Sequence, residues 1–226
     1  MRKGPTSQRQ NAILAALQAE DAEILTRILT PVELERRRYL AHRDRRIEYV
    51  YFIDSGVASV IADASSVRSV EVGMVGSEGL TGLGALMGAS KSPYDTFMQV
   101  AGRGRRCQPA ALKQAMDNSP ALRDCIMHYA HAFMLQIAQT ALSNARGKLE
   151  ERLARWLLMV HDRTDGDEVQ LTHDFLATML GVRTRRRIRR RQTPGETGPR
   201  RSPPRHHHDR RSRWLGAEFE RRLWRG

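Results

Sequence analysis

Few residues of this chain are of types and spacings that do chemistry. Thr184 to Arg201 reads TRRRIRRRQTPGETGPRR, and guanidinium groups at that density suit phosphate. His128 and His131 stand three apart, a spacing at which two imidazoles can share a metal, although such pairs are more often solvated or packed. His206, His207 and His208 adjoin arginine and proline and are read as incidental. Cys107 and Cys125 are the only cysteines; they form no CxxC pair and fit a reducing cytoplasm. No nucleophile, base and orienting group are arranged for catalysis. The expectation is a chain with no enzymatic activity, no cofactor and no metal.

The elements that must position these residues follow from charge and periodicity. The chain has 226 residues, 38 bases and 25 acids, a net +13. Residues 183 to 226 hold sixteen arginines, no lysine and four acids, a net +12. Subtraction leaves 22 bases and 21 acids for residues 1–182, so the overall excess is a property of the tail. No cationic start with an apolar run marks a signal peptide, and no stretch approaches the roughly 20 apolar residues that span a bilayer. Residues 11 to 29 have helical spacing, with Ile13, Leu14, Leu17, Ile24, Leu25 and Ile28 on the apolar face. From Val32 to Pro109 the period is two. Tyr49 to Ile61 (YVYFIDSGVASVI) reads as two strands around a Ser55-Gly56 turn, and Val70, Val72 and Met74 alternate on one face of the next strand. Gly73, Gly76, Gly79, Gly82, Gly84 and Gly88 are read as tight strand turns. The expected class is α+β, with an N-terminal antiparallel β-roll.

After Pro109 the helical period returns. Leu122, Ile126, Tyr129, Phe133 and Ile137 form a narrow seam at steps of four, three, four and four. It suits a helix packed on its own domain or one paired with its twin, and the length of the seam favours the twin. In KLEERLARWLLMVHD, Leu149, Leu153, Trp156, Leu157 and Val160 make the apolar face of the next helix. Thr172 has the form of an N-cap, Phe175, Leu176, Met179 and Leu180 an apolar face, and Gly181 a C-cap.

Several segments in order, VYFIDSGVASVI, RSVEVGMVGSEGLTGLGALMGA, QTALSNARGKLEERLARWLLMVHDR and LTHDFLATMLGVR, resemble the Crp/Fnr transcription regulators over about Ala12 to Arg183. The resemblance implies a cyclic-nucleotide-binding-like roll, a dimer helix and a winged helix-turn-helix. It places an effector pocket at Gly76, Glu78, Gly79, Tyr94 and Thr96. In cyclic-nucleotide-binding members a glutamate meets the ribose and an arginine pairs with the cyclic phosphate; here Tyr94, Asp95 and Thr96 stand where that arginine belongs. A buried phosphate without a cation is poorly compensated, so the effector is expected not to be cyclic AMP. An iron–sulfur sensor would need N-terminal cysteines, which this chain lacks.

The resemblance breaks after Arg183. A recognition helix needs an apolar side to dock, yet Ile188 is the only large apolar residue before Trp214. Pro194, Gly195, Gly198 and Pro199 stop any helix early. Back-translation read one base later permits strings similar to the family's recognition helix and wing strand, so a frameshift just after Arg183 is expected; a genuine basic tail that neutralises phosphate is the other reading. The expected organisation is N-terminal helices over 1–30, a sensor roll over 31–110, a dimer helix over 111–145, a partial helix-turn-helix domain over 146–183 and a basic, mostly disordered tail over 184–226. Thr172, His173, Arg183, Arg185, Arg186 and Arg187 are the candidate DNA contacts. The expected partners are DNA, mainly through phosphate, a second copy of the chain and an unidentified small-molecule effector, with no membrane. A dimeric sensing scaffold without a nucleic-acid role is the alternative.

Overall fold

The computed structural model describes residues 10–63 and 69–164. Two short helices lead, α1 (Ala12–Ala15) and α2 (Ala19–Ile28). Eight strands follow: β1 (Thr30–Leu34), β2 (Tyr39–Ala41), β3 (Val50–Ile53), β4 (Val57–Asp63), β5 (Ser69–Val75), β6 (Leu80–Thr81), β7 (Asp95–Val100) and β8 (Gly102–Cys107). A one-turn helix, α3 (Leu83–Leu86), sits between β6 and β7. Three helices end the described chain: α4 (Pro109–Asn118), α5 (Pro120–Arg146) and α6 (Leu149–His161). Ser119 separates α4 from α5; its hydroxyl caps α5 by accepting from the Leu122 amide at 3.1 Å, and Pro120 follows at the first helical position.

The strands form two antiparallel sheets, ordered β1-β8-β3-β6 and β2-β7-β4-β5. This is the α+β roll that the two-residue period predicts. The turn at Gly56 differs from the reading in one respect. Gly56 has φ +86, as a turn glycine should, but β3 and β4 lie in different sheets and do not pair. The turn carries the chain from one sheet to the other, where a Cβ would strike the Val100 and Ala101 carbonyls.

β3 is buried on both faces, which explains its unbroken apolar run. Tyr51 and Ile53 face the roll interior with Leu34, Val60, Val75 and Met98. Val50 and Phe52 turn outward to a second core with Leu25, Leu112, Leu122 and Ile126 from the helices. The other sheet also has a covered outer face: Val57, Ile61 and Met74 pack with Trp156 and Val160 of α6. The order of layers is therefore helices, sheet, interior core, sheet, α6. Leu149, read as part of the α6 buried face, is exposed at the first position of the helix. Ile24 of α2 is likewise exposed, and Leu25 takes the core position.

Candidate functional site

The open mouth of the roll is closed by α5. Tyr129 and Phe133, one turn apart, stack with ring centroids 6.2 Å apart. A Cβ on Gly79 would overlap the Tyr129 ring, and one on Gly73 would come within 2.8 Å of the Phe133 ring. Neither glycine has a positive φ. These two are small to admit aromatic rings, whereas Gly82 (φ +81) and Gly88 (φ +100) serve as turns. The Tyr129 hydroxyl donates to the Leu80 carbonyl at 3.1 Å. Burial, reinforced by the nearby Glu78 charge, pushes this phenol above its ordinary range, so it remains a neutral donor.

The elements around this mouth are fixed by polar ties that span long sequence separations. Asn11, fully buried, caps α1 through Oδ1 and donates from Nδ2 to the carbonyls of Ile53 at 2.9 Å and Gly79 at 2.7 Å. Gln136 of α5 accepts from the Met74 amide at 2.7 Å and donates to the Met74 carbonyl at 3.1 Å, occupying the free edge of β5. Arg163, just past α6, donates to Glu78 at 2.7 Å while its stem lies over Gly76. Trp156 donates its indole N–H to Glu71 at 2.8 Å. Glu71 is buried, and its other oxygen has no partner among the described residues. The nearby Ser59 hydroxyl donates its hydrogen to Gln99 at 2.6 Å. Burial pushes the Glu71 carboxyl up to about 7, and the Trp156 N–H and the Arg163 and Arg155 charges offset only part of that.

The five residues assigned to an effector pocket are not brought together. Gly76, Glu78 and Gly79 share the turn between β5 and β6, beside a groove of about 630 Å³ lined by Ile13, Glu78, His128, Phe133, Leu135 and Arg163 among others. Thr96 is buried within β7 opposite Val60, and Tyr94 precedes it, tied to the Ser92 hydroxyl. Pairing on β4 separates them: Thr96 sits level with Val60, whereas Val75, just before the turn, sits level with Ala58. Neither Tyr94 nor Thr96 lines the groove. The seam residues of α5 meet the chain's own residues. Leu122 and Ile126 are buried in the chain's own helical core, Tyr129 and Phe133 close its own roll, and Ile137 reaches Gly73. His128 and His131 lie exposed on α5. Thr172, His173, Arg183, Arg185, Arg186 and Arg187 lie outside the described residues.

Sequence reasoning missed Asn11, Glu71, Gln136 and Arg163. Asn11 precedes an apolar periodic run, the usual N-cap signal, so its capping role could have been found. The other three act through partners 62 to 85 positions away, and nothing local marks them.

Two antiparallel sheets closed by a long helix define a cyclic-nucleotide-binding-like roll. No protein-family model and no curated protein matches the chain, but solved structures do. The c-di-GMP-responsive global regulator CLP of Xanthomonas campestris is 18% identical, with 74% of this chain and 86% of that chain covered at a TM-score of 0.59. FixK2 of Bradyrhizobium japonicum is 15% identical over 69% and 78%, at 0.60. A transcriptional regulator of the Crp/Fnr family from Eubacterium rectale is 12% identical over 76% and 80%, at 0.63. The described residues have a Crp/Fnr-like cyclic-nucleotide-binding fold. No helix among the described residues is long and apolar enough to cross a membrane.

Proposed function

We propose that the chain is a homodimeric, cytoplasmic, Crp/Fnr-type DNA-binding transcription regulator whose roll responds to something other than cyclic AMP. The observation that carries this reading is the filling of the roll mouth by Tyr129 and Phe133 against Gly79 and Gly73. The carboxylate that the resemblance would give to a ribose already holds the Arg163 guanidinium, and no arginine stands near Tyr94 to Thr96 in sequence.

Dimerisation uses an exposed apolar stripe of α5. Met127, Met134, Leu135 and Leu142 are 38, 56, 54 and 51% exposed. They fall in two pairs seven residues apart, the repeat of a helix that meets its twin. Thr172, His173, Arg183 and Arg185 to Arg187 supply phosphate contacts. Base-specific readout is impaired, because the sequence after Gly181 lacks the apolar surface a recognition helix needs.

Calorimetry and DNA titration test the reading. Cyclic AMP should give no binding heat at micromolar protein, and duplex binding should be salt-dependent and sequence-blind. Micromolar affinity for cyclic AMP, or an about tenfold preference for one operator over scrambled DNA at physiological salt, would contradict it.

A further inference from the structure

We propose that the two arginine loops flanking β2 form a second surface for the phosphate backbone of duplex DNA, separate from the C-terminal arginine run. Arg36, Arg37, Arg38, Arg43, Arg45 and Arg46 fall within eleven residues, and Asp44 is the only acid among them. Residues 1–182 carry a net of only +1 with these loops included, so this is a local concentration of charge rather than a diffuse one. All six except Arg38, which donates to the Glu33 carbonyl, are exposed.

The fold places them together. Among the described residues β2 is an edge strand that pairs with β7 alone, and its three residues set the two loops about 10 Å apart. Measured along the duplex axis, that length spans about three phosphates of one strand, at 3.4 Å rise each. Both loops are held in shape. The Arg37 amide donates to the Met98 carbonyl at 2.7 Å, the Asp44 amide to the Ser92 carbonyl at 2.8 Å, and the Ser92 amide to the Arg45 carbonyl at 2.9 Å. Arg46 forms a β-bridge with Lys91, which adds another exposed cation. Arg37 (φ +68) and Asp44 (φ +60) sit in the left-handed region. That conformation costs a non-glycine residue free energy and persists only where surrounding structure imposes it. Arg37, Arg45 and Arg46 are thus carried on a specified backbone, while the Arg43 guanidinium lies 3.4 Å from the Asp44 carboxylate.

The chemistry favours phosphate over an acidic protein. The loops present cations and N–H donors, and between them lies Tyr39, whose ring stacks on His42 at 4.3 Å. A protein partner takes several buried aromatic or apolar anchors at the centre of its interface, and Tyr39 is a single one, whereas the nucleic-acid backbone needs charge and donors.

The test compares the full chain with the triple variant Arg37→Gln/Arg45→Gln/Arg46→Gln. Each is titrated with a fluorescent duplex across roughly 50 to 300 mM salt, and the slope of log affinity against log salt is read. Each phosphate left without its arginine should flatten that slope by about 0.9, so the variant should be flatter by about 2 to 3 and bind ~10-fold or more weakly near 100 mM salt. The arginines from Arg183 onward are common to both proteins and cancel. The matching triple Arg→Lys variant should keep the parental slope, and thermal melts check that all three fold alike. An unchanged slope in the glutamine variant overturns this proposal and leaves the C-terminal DNA contacts standing. Failure of the parent to bind duplex overturns both. Loss of poly-glutamate binding with duplex binding unchanged assigns the loops to an acidic protein and likewise overturns it.

Discussion

The indole N–H of Trp156 donates to Glu71 across 2.8 Å, joining α6 to the outer face of the roll through a buried carboxyl. Its pH dependence has a definite sign. The folded-state value is raised to about 7 from an ordinary 4.5, chiefly by burial. Below pH 4.5 the group is protonated in both folded and unfolded states, and no cost arises. Between 4.5 and about 7 the unfolded chain ionises while the folded one retains its proton, so stability falls as pH rises. Above about 7 the loss is complete, on the order of 3 kcal/mol. Glu71→Gln keeps an acceptor for Trp156 and removes the proton. Urea titrations followed by circular dichroism from about pH 4.5 to 8 should show this decline in the parent and its absence in the variant. Parallel profiles for the two proteins would exclude Glu71 as the source.

Gly79 gives the sharpest packing prediction. Its missing side chain is the space the Tyr129 ring occupies, and its φ is not positive, so the penalty for a larger residue is steric alone. Gly79→Ala should cost about 1–3 kcal/mol, the usual range for overpacking a filled site. In a Tyr129→Ala background the same substitution should cost under about 0.5 kcal/mol, because the obstructing ring is gone. A double-mutant cycle by chemical denaturation measures the difference, and additivity would mean that the ring does not fill this space.

What could be read from the sequence was local. The β3 run, the change from period two to helical period near Pro109, and the buried Trp156 and Val160 all follow from patterns within a dozen residues. What could not be read depended on distant partners. The alternation of Val70, Val72 and Met74 sets Glu71 on the other face of its strand, and nothing local marks that face as covered. A register shift between Val60 and Ile61, with α6 laid over the sheet, buries it. The α5 seam was visible, but spacing alone does not say whether the other surface is a twin or the chain's own glycines. Gly73 and Gly79 carried that information, and they read equally well as turns.

Arg163 and Glu78 offer a test of how α6 ends. The pair is 2.7 Å apart, with side-chain exposures of 15 and 39%. Screening at the exposed carboxylate keeps the ionic part below about 1 kcal/mol. Arg163 also donates to the Met159 carbonyl at 2.9 Å and covers Gly76 with its stem, so truncation should cost more than the charge pair itself. Arg163→Ala should destabilise by about 1–2 kcal/mol and Glu78→Gln by about half as much or less. Hydrogen exchange at Val160 to Arg163 should quicken in the first variant. Unaltered exchange there would show that the helix end is held by other contacts.

The outward stripe of α5 separates folding from pairing. Met134 and Leu135 are more than half exposed, so a charged residue at either position removes little from the core of one chain. In a dimer joined along this face the same charge would be buried without a partner, at a cost of several kcal/mol per interface. Met134→Glu/Leu135→Glu should therefore leave the thermal melt of a dilute sample close to that of the dissociated parent and shift sedimentation from dimer to monomer. Phe133→Glu, one residue away on the inner face, should instead unfold the roll mouth, since Phe133 packs against Gly73. Sedimentation equilibrium across about a hundredfold concentration range, which moves a dimer's dissociation balance by nearly ~3 kcal/mol, reads both outcomes. A double variant that remains dimeric places the contact elsewhere on the molecule.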